Sequence, residues 1–226
     1  MTIERRAVLA GAGSMAGLGL AGCATPAVVR PYVGRSPLII AHRGASGHRP
    51  EHTLAAYALA IEQGADFIEP DLVLTKDGVL VCRHENEISE TTDVATRPQF
   101  AARRTTKTID GQTVSGWFTE DFTLAELKTL RCRERLPQLR PENRAFDDLE
   151  PIPTFAEVIA LAQSMTARRG GTGLVADVIG VYPETKHPSY FEGLGLSFDA
   201  PLLADLSAAG WSNALAPVFV QSFEVG

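Results

Sequence analysis

The stretch Phe67-Ile-Glu-Pro-Asp71-Leu-Val-Leu-Thr75-Lys-Asp77-Gly78-Val-Leu-Val-Cys-Arg83-His84 decides the fold, because two apolar runs flank a turn signal. Asp77-Gly78 is a dipeptide favoured in two-residue hairpin turns, whose central residues both need positive φ. The first run, about Asp66 to Thr75, predicts one strand, and Val79 to Arg83 predicts its hairpin partner. Side chains two apart in a strand share a face, so Glu69 and Asp71 project together. Counting back through a two-residue turn pairs Asp71 with His84. One short segment therefore brings two carboxylates and an imidazole to one place.

Upstream, Pro37-Leu-Ile-Ile-Ala41 is a short apolar run of the buried parallel type, broken by His42-Arg43-Gly44. Leu54, Ala55, Tyr57, Ala58 and Ile61 then form a helical face, with Thr53 as N-cap and Gly64 as stop. Downstream, residues 85–122 are polar and irregular and read as a long excursion; loops of that length are usually functional or flexible. Capping boxes at Thr123-Leu-Ala-Glu126 and Thr154-Phe-Ala-Glu157 each start a helix. Leu174 to Val181 predicts a further buried strand ending at Tyr182-Pro183-Glu184. Asp199 caps a helix carrying Leu202, Leu203 and Leu206, stopped by Gly210, and Pro217 to Phe223 predicts a last strand. Strand–helix alternation of this kind predicts a parallel α/β fold. Five strands are counted, where a closed (β/α)8 barrel has eight, so either the sequence is a fragment or the fold is not a complete barrel.

The composition is that of an ordinary soluble domain, 45% hydrophobic and 21% charged, with a net charge of −6. An acidic balance argues against a nucleic-acid partner, which needs a basic footprint. Cys23, Cys82 and Cys132 are too few for a disulfide scaffold or a cysteine-rich zinc site. Residues 1–23 read as an export signal: Arg5-Arg6, then an uncharged Ala7–Ala21 stretch, then Leu20-Ala21-Gly22-Cys23. The last four residues resemble a bacterial lipobox and the paired arginines a twin-arginine signal. The expected location is exported, periplasmic or extracellular, or a lipoprotein anchored to the membrane through Cys23. Residues 24–36 read as a linker to a domain over 37–226.

The chemistry-bearing residues stand at strand ends. Glu69, Asp71 and Glu184 form an oxygen-rich set suited to a hard divalent cation, calcium or magnesium rather than zinc. The competing reading is that such acids merely pair with nearby Arg or Lys. His42 and His84 suit acid–base work because imidazole titrates near neutrality. Arg43 offers a planar fork for phosphate oxygens, and Lys186 adds a second positive charge beside Glu184. A cation, an Arg and a Lys around one anion describe a phosphoryl site. His48, His52 and His187 read as structural, Cys82 as core, and Trp117 with Phe118 as a packing cluster. No P-loop and no Gly-x-Ser-x-Gly elbow occurs.

These motifs resemble the glycerophosphodiester phosphodiesterases. The resemblance rests on His42-Arg-Gly-Ala-Ser-Gly-His-Arg-Pro-Glu-His-Thr53, Phe67-Ile-Glu-Pro-Asp71, Thr75-Lys-Asp-Gly78, His84, Tyr182-Pro-Glu-Thr-Lys-His-Pro188 and Gln221-Ser-Phe223. It implies a TIM-type (β/α)8 barrel, here with about five of eight strands, C-terminally truncated, and with its long excursion after the third. The excursion resembles the secreted bacterial branch that uses calcium. The implied reaction converts a glycerophosphodiester, a small-molecule substrate, to an alcohol and sn-glycerol 3-phosphate. Glu69, Asp71 and Glu184 match the family's metal ligands, His42 and His84 its acid–base pair, and Arg43 and Lys186 its phosphate contacts. The glycerol 2-hydroxyl attacks phosphorus as one histidine takes its proton, here assigned to His42. His84 protonates the departing alcohol, and water opens the cyclic phosphate. Glu85 stands where the family often has Asp, and His52 where Asn is common. No protein partner is implied.

Two other functions fit the same residues. A related barrel phospholipase or sphingomyelinase-type lyase would release a stable cyclic phosphate. A lipid-anchored binding protein would capture glycerophosphodiesters without turnover.

Overall fold

The computed structural model describes residues 37–168 and 178–224. The expected export signal, the linker 24–36 and residues 174–177 of the strand expected at Leu174–Val181 lie outside the described residues. Strand β1 (Ile40–His42) leads through a loop to helix α1 (Leu54–Glu62). Thr53 caps α1 as its sequence predicts, its side chain accepting from the Ala56 N–H, and Gly64 leaves the helix at φ +103°. The strand expected at 66–75 is present in two parts, β2 (Phe67–Glu69) and β3 (Asp71–Leu74), divided at Pro70. Proline has no N–H for the ladder, so the strand bends there, immediately before Asp71. β4 (Leu80–Cys82) returns antiparallel to β3.

The hairpin count needs correction. The register is Leu72↔Cys82, Val73↔Val81 and Leu74↔Leu80, which sets Asp71 opposite Arg83 rather than His84. The Arg83 N–H donates to the Asp71 carbonyl at 3.0 Å. The turn has three residues, Lys76-Asp77-Gly78, and only Gly78 takes positive φ (+75°), so a two-residue turn with both central residues left-handed is not formed. Thr75 closes it, donating its hydroxyl to Asp77 Oδ1 at 2.6 Å and accepting the Val79 N–H at 2.9 Å. His84 reaches the site from the loop beyond β4.

The excursion is more ordered than its polarity predicts. It carries the hairpin β5 (Thr105–Ile109) and β6 (Gln112–Gly116), joined by Asp110-Gly111 with both residues at positive φ (49° and 77°). Ile88, Val94, Phe100, Trp117, Phe118 and Phe122 are buried beneath it. Trp117 and Phe118 are thus packing residues, and the Trp117 indole donates to the Phe100 carbonyl at 2.7 Å. Helices α2 (Leu124–Leu127) and α3 (Phe155–Arg168) both start on the expected capping boxes.

After α3, the next strand is again in two parts, β7 (Gly180–Val181) and β8 (Glu184–Thr185), interrupted at Tyr182-Pro183. α4 (Pro188–Gly193), which the sequence reading did not foresee, and α5 (Asp199–Ala208) follow. Phe198 occupies the N-cap of α5, and Asp199 is its first residue rather than its cap. β9 (Gln221–Ser222) is shorter than the expected strand.

β1, β2 and β7 pair in parallel, as do β3, β8 and β9. Reading through the proline breaks, four of the five expected strands run parallel, and β4 is an antiparallel arm on the second. α1 and α3 pack side by side against this sheet, over Tyr57, Ile61, Ile68, Leu72, Phe155 and Val158. Ile39 and Ile40 were expected to be buried but are 55% and 44% exposed, because among the described residues β1 pairs only with β2.

Candidate active site

The four parallel strands end on one side, and their ends line a cleft of about 540 Å³. His42, Arg43, Glu69, His84, Glu184, Lys186 and Gln221 face it, and Asp71 lies fully buried at its base. Strand register does the placing: His42 pairs with Glu69, Asp71 with Glu184, and Glu184 with Gln221. All seven site residues chosen from the sequence therefore converge, although Asp71 and His84 are not cross-strand partners.

Arg43 lies just past β1 with φ +62°, which turns its backbone N–H inward. That N–H donates to Glu69 Oε2 at 2.9 Å. The guanidinium is 3.2 Å from Asp71 and 3.4 Å from Glu51, and its Nε–H donates to His42 Nε2 at 3.2 Å. Gly44 follows at φ +79°. An added Cβ would stand 2.7 Å from the Ala56 carbonyl carbon, so the loop closes onto α1 only with glycine there.

The carboxylates crowd one another. Burial first, then the Asp71 charge, pushes Glu69 up to about 8 from 4.5. Burial likewise raises Glu184, with Asp71 adding to it against the pull of Lys186. Burial would raise Asp71 too, but the His52 hydrogen bond and the His52, His84 and Arg43 charges hold it well below the usual range. Asp71 Oδ1 is buried and has no hydrogen-bond partner, while Oδ2 meets His52 Nε2 at 3.0 Å. A buried, unpaired carboxylate oxygen among like charges is the local environment a hard cation satisfies. One ligand atom each from His42, Glu69 and Asp71 lies within 4.8 Å of the others. Glu184 stands beside them, with Oε1 2.8 Å from Lys186 Nζ.

Burial, followed by Arg43, lowers the His42 imidazole. His84 Nδ1 is 2.7 Å from Glu85 Oε1, and its Nε2 is 3.5 Å from Lys186 Nζ. The sequence marks Gln221 only as part of the Gln221-Ser-Phe223 motif and gives it no role; its amide donates to Glu69 Oε1 at 3.3 Å and to Glu184 Oε2 at 3.5 Å. A neutral amide carries no charge signal, and only the β8–β9 register reveals it. His52 is structural as expected, fully buried between Tyr57 and Asp71, yet it orients a carboxylate of the site.

Residues 42–171 match the glycerophosphoryl diester phosphodiesterase family. The chain belongs to this family. A glycerophosphodiester phosphodiesterase of Arabidopsis thaliana is 38% identical over 209 residues, covering 87% of this chain and 53% of its own length. One from Haemophilus influenzae is 31% identical over 215 residues, 91% of this chain and 55% of its own. The chain spans about half the length of these curated relatives. An Oleispira antarctica phosphodiesterase, solved in complex with the product sn-glycerol-3-phosphate, superposes with a TM-score of 0.55 at 28% identity, over 83% of this chain and 58% of its own. The fold is the TIM-type α/β arrangement expected from the motifs.

Proposed function

We propose that this chain carries the site of a cation-dependent glycerophosphodiester phosphodiesterase, which hydrolyses a glycerophosphodiester to an alcohol and sn-glycerol 3-phosphate. The observation that carries the reading is the convergence of three carboxylates, two histidines, Arg43 and Lys186 on one cleft. The names of its family relatives and the product held by the Oleispira neighbour support it.

Glu69, Asp71 and Glu184 would hold the divalent cation, calcium before magnesium, which leaves His42 beside them free for acid–base work. Such an ion supplies fixed positive charge that polarises a phosphoryl oxygen. Lys186 and Arg43 bind the remaining phosphate oxygens. Arg43 does so by exchanging part of its contact with Glu51 and Asp71 for the substrate. His42, biased toward its neutral form, accepts the proton of the glycerol 2-hydroxyl. His84 donates to Glu85 through Nδ1, so in the doubly protonated ring Nε2 is the nitrogen that gives a proton to the departing alcohol, leaving His84 neutral. Water then opens the cyclic phosphate with the two roles reversed. The export signal over residues 1–23, lipidation at Cys23 and kinship with the secreted calcium-using branch belong to the same proposal, supported by sequence motifs alone.

A chelator is expected to abolish hydrolysis, and calcium to restore it better than zinc, because the proposed set is rich in carboxylate oxygen. Restoration by zinc alone, measured as product release after chelation, would overturn the hard-cation assignment.

A further inference from the structure

Behind His84 a chain of side chains runs outward from the cleft through three separate segments. His84 Nδ1 meets Glu85 Oε1 at 2.7 Å, and Glu85 Oε2 meets His187 Nε2 at 3.0 Å. His187 Nδ1 then meets Asp110 Oδ2 at 2.6 Å. Glu85 lies in the loop after β4, His187 caps α4 with φ +52°, and Asp110 sits in the β5–β6 turn. The turn of the excursion hairpin thereby reaches the catalytic loop through the side chains of Asp110, His187 and Glu85. We propose that His187 and Asp110 are positioning residues that clamp Glu85, so that Glu85 holds His84 with Nε2 toward the cleft.

The chemistry is consistent at every link. Both ring nitrogens of His187 face carboxylates, so both donate and the ring is an imidazolium; the hydrogen bond to Glu85 leads the upward shift of its pKa. Burial would raise Glu85, but hydrogen bonds from His187 and His84 keep it an anion. The Glu85 side chain is 49% exposed, so without His187 it is free to swing into solvent and release His84. Asp110, His187 and Glu224 also lie close enough to hold a cation, but His187 has no lone pair to offer while each ring nitrogen donates to an acid. Exposed ion pairs contribute little to stability, so the contribution of this chain is to orientation rather than to folding.

The inference rests on the acid–base role proposed for His84, and the test separates the two. His187→Ala is expected to lower kcat on glycerophosphocholine about tenfold, the effect usual for a partner that orients a functional histidine, with KM and half-saturating calcium unchanged. His187→Gln, which keeps a nitrogen donor at similar reach, should recover most of it. Asp110→Gly, harmless to a turn that already needs positive φ, should lower kcat by roughly threefold, a smaller loss because the Glu85–His187 contact remains. Added to His84→Ala, His187→Ala should cost nothing further. A full additional loss in that background, or unchanged kcat in the single variants, would overturn the relay. Imidazole nitrogen NMR reads the relay without turnover: once the His84 ring is neutral, its remaining proton sits on Nδ1 in the wild type, and His187→Ala shifts it toward Nε2. An unchanged tautomer would overturn the relay, whereas a shift in a protein without hydrolysis would uphold it and sink the proposed activity.

Discussion

Replacing His84 with alanine is expected to lower turnover of glycerophosphocholine roughly a thousandfold, the middle of the range for a general acid–base residue. His84 is partly exposed and, among the described residues, hydrogen-bonded at the cleft rim to Glu85 and Lys186, so its loss leaves neither a core cavity nor a buried unpaired group. The melting temperature should therefore stay close to that of the parent, and calcium should still bind. The contrast with a structural histidine is internal to the protein. His52 is fully buried between Tyr57 and Asp71, and its removal would strike the fold as well as the site. Near-normal turnover by His84→Ala, with the same fold by circular dichroism, would remove His84 from the reaction.

Glu69→Gln should separate stability from function. In the folded protein Glu69 is 2% exposed, and burial with the Asp71 charge pushes it up to about 8 from 4.5. A group whose folded pKa is raised binds its proton more tightly in the folded state. The stability of the metal-free protein should accordingly fall as pH rises between about 4.5 and 8. Glutamine does not titrate, so this variant should flatten that slope, and near pH 8 it should melt above the metal-free parent. Calcium reverses the ranking. At a hundredfold excess over its Kd it stabilises the parent by about 2.7 kcal/mol, roughly 5–10 °C in Tm for a chain of this size, and should give the variant almost none of this. Thermal melts across pH, with calcium and with chelator, read both effects. An equal calcium shift in parent and variant would exclude Glu69 as a ligand.

The site was legible because its members stand at strand ends, where spacing and register carry information. Glu69 and Asp71 two apart, and Glu184 on another strand, could be placed on one side without coordinates. The failure was equally local. Asp77-Gly78 signals a two-residue turn, but Thr75 folds its hydroxyl onto Asp77 and lengthens the turn by one residue, which moves every pairing by one. The β5–β6 hairpin was missed because its strands are mostly exposed and polar, so no apolar alternation marks them. Its Asp110-Gly111 turn was nonetheless a readable signal. His187 was read as structural from sequence, where nothing places its two nitrogens between Glu85 and Asp110; only the docking of the hairpin onto α4 does so.

The most direct test is release of sn-glycerol 3-phosphate from glycerophosphocholine by this 226-residue chain, with calcium and with chelator. The proposed site predicts calcium-dependent release of both choline and sn-glycerol 3-phosphate. Calcium-dependent binding without release, or accumulation of a stable cyclic phosphate, would contradict it.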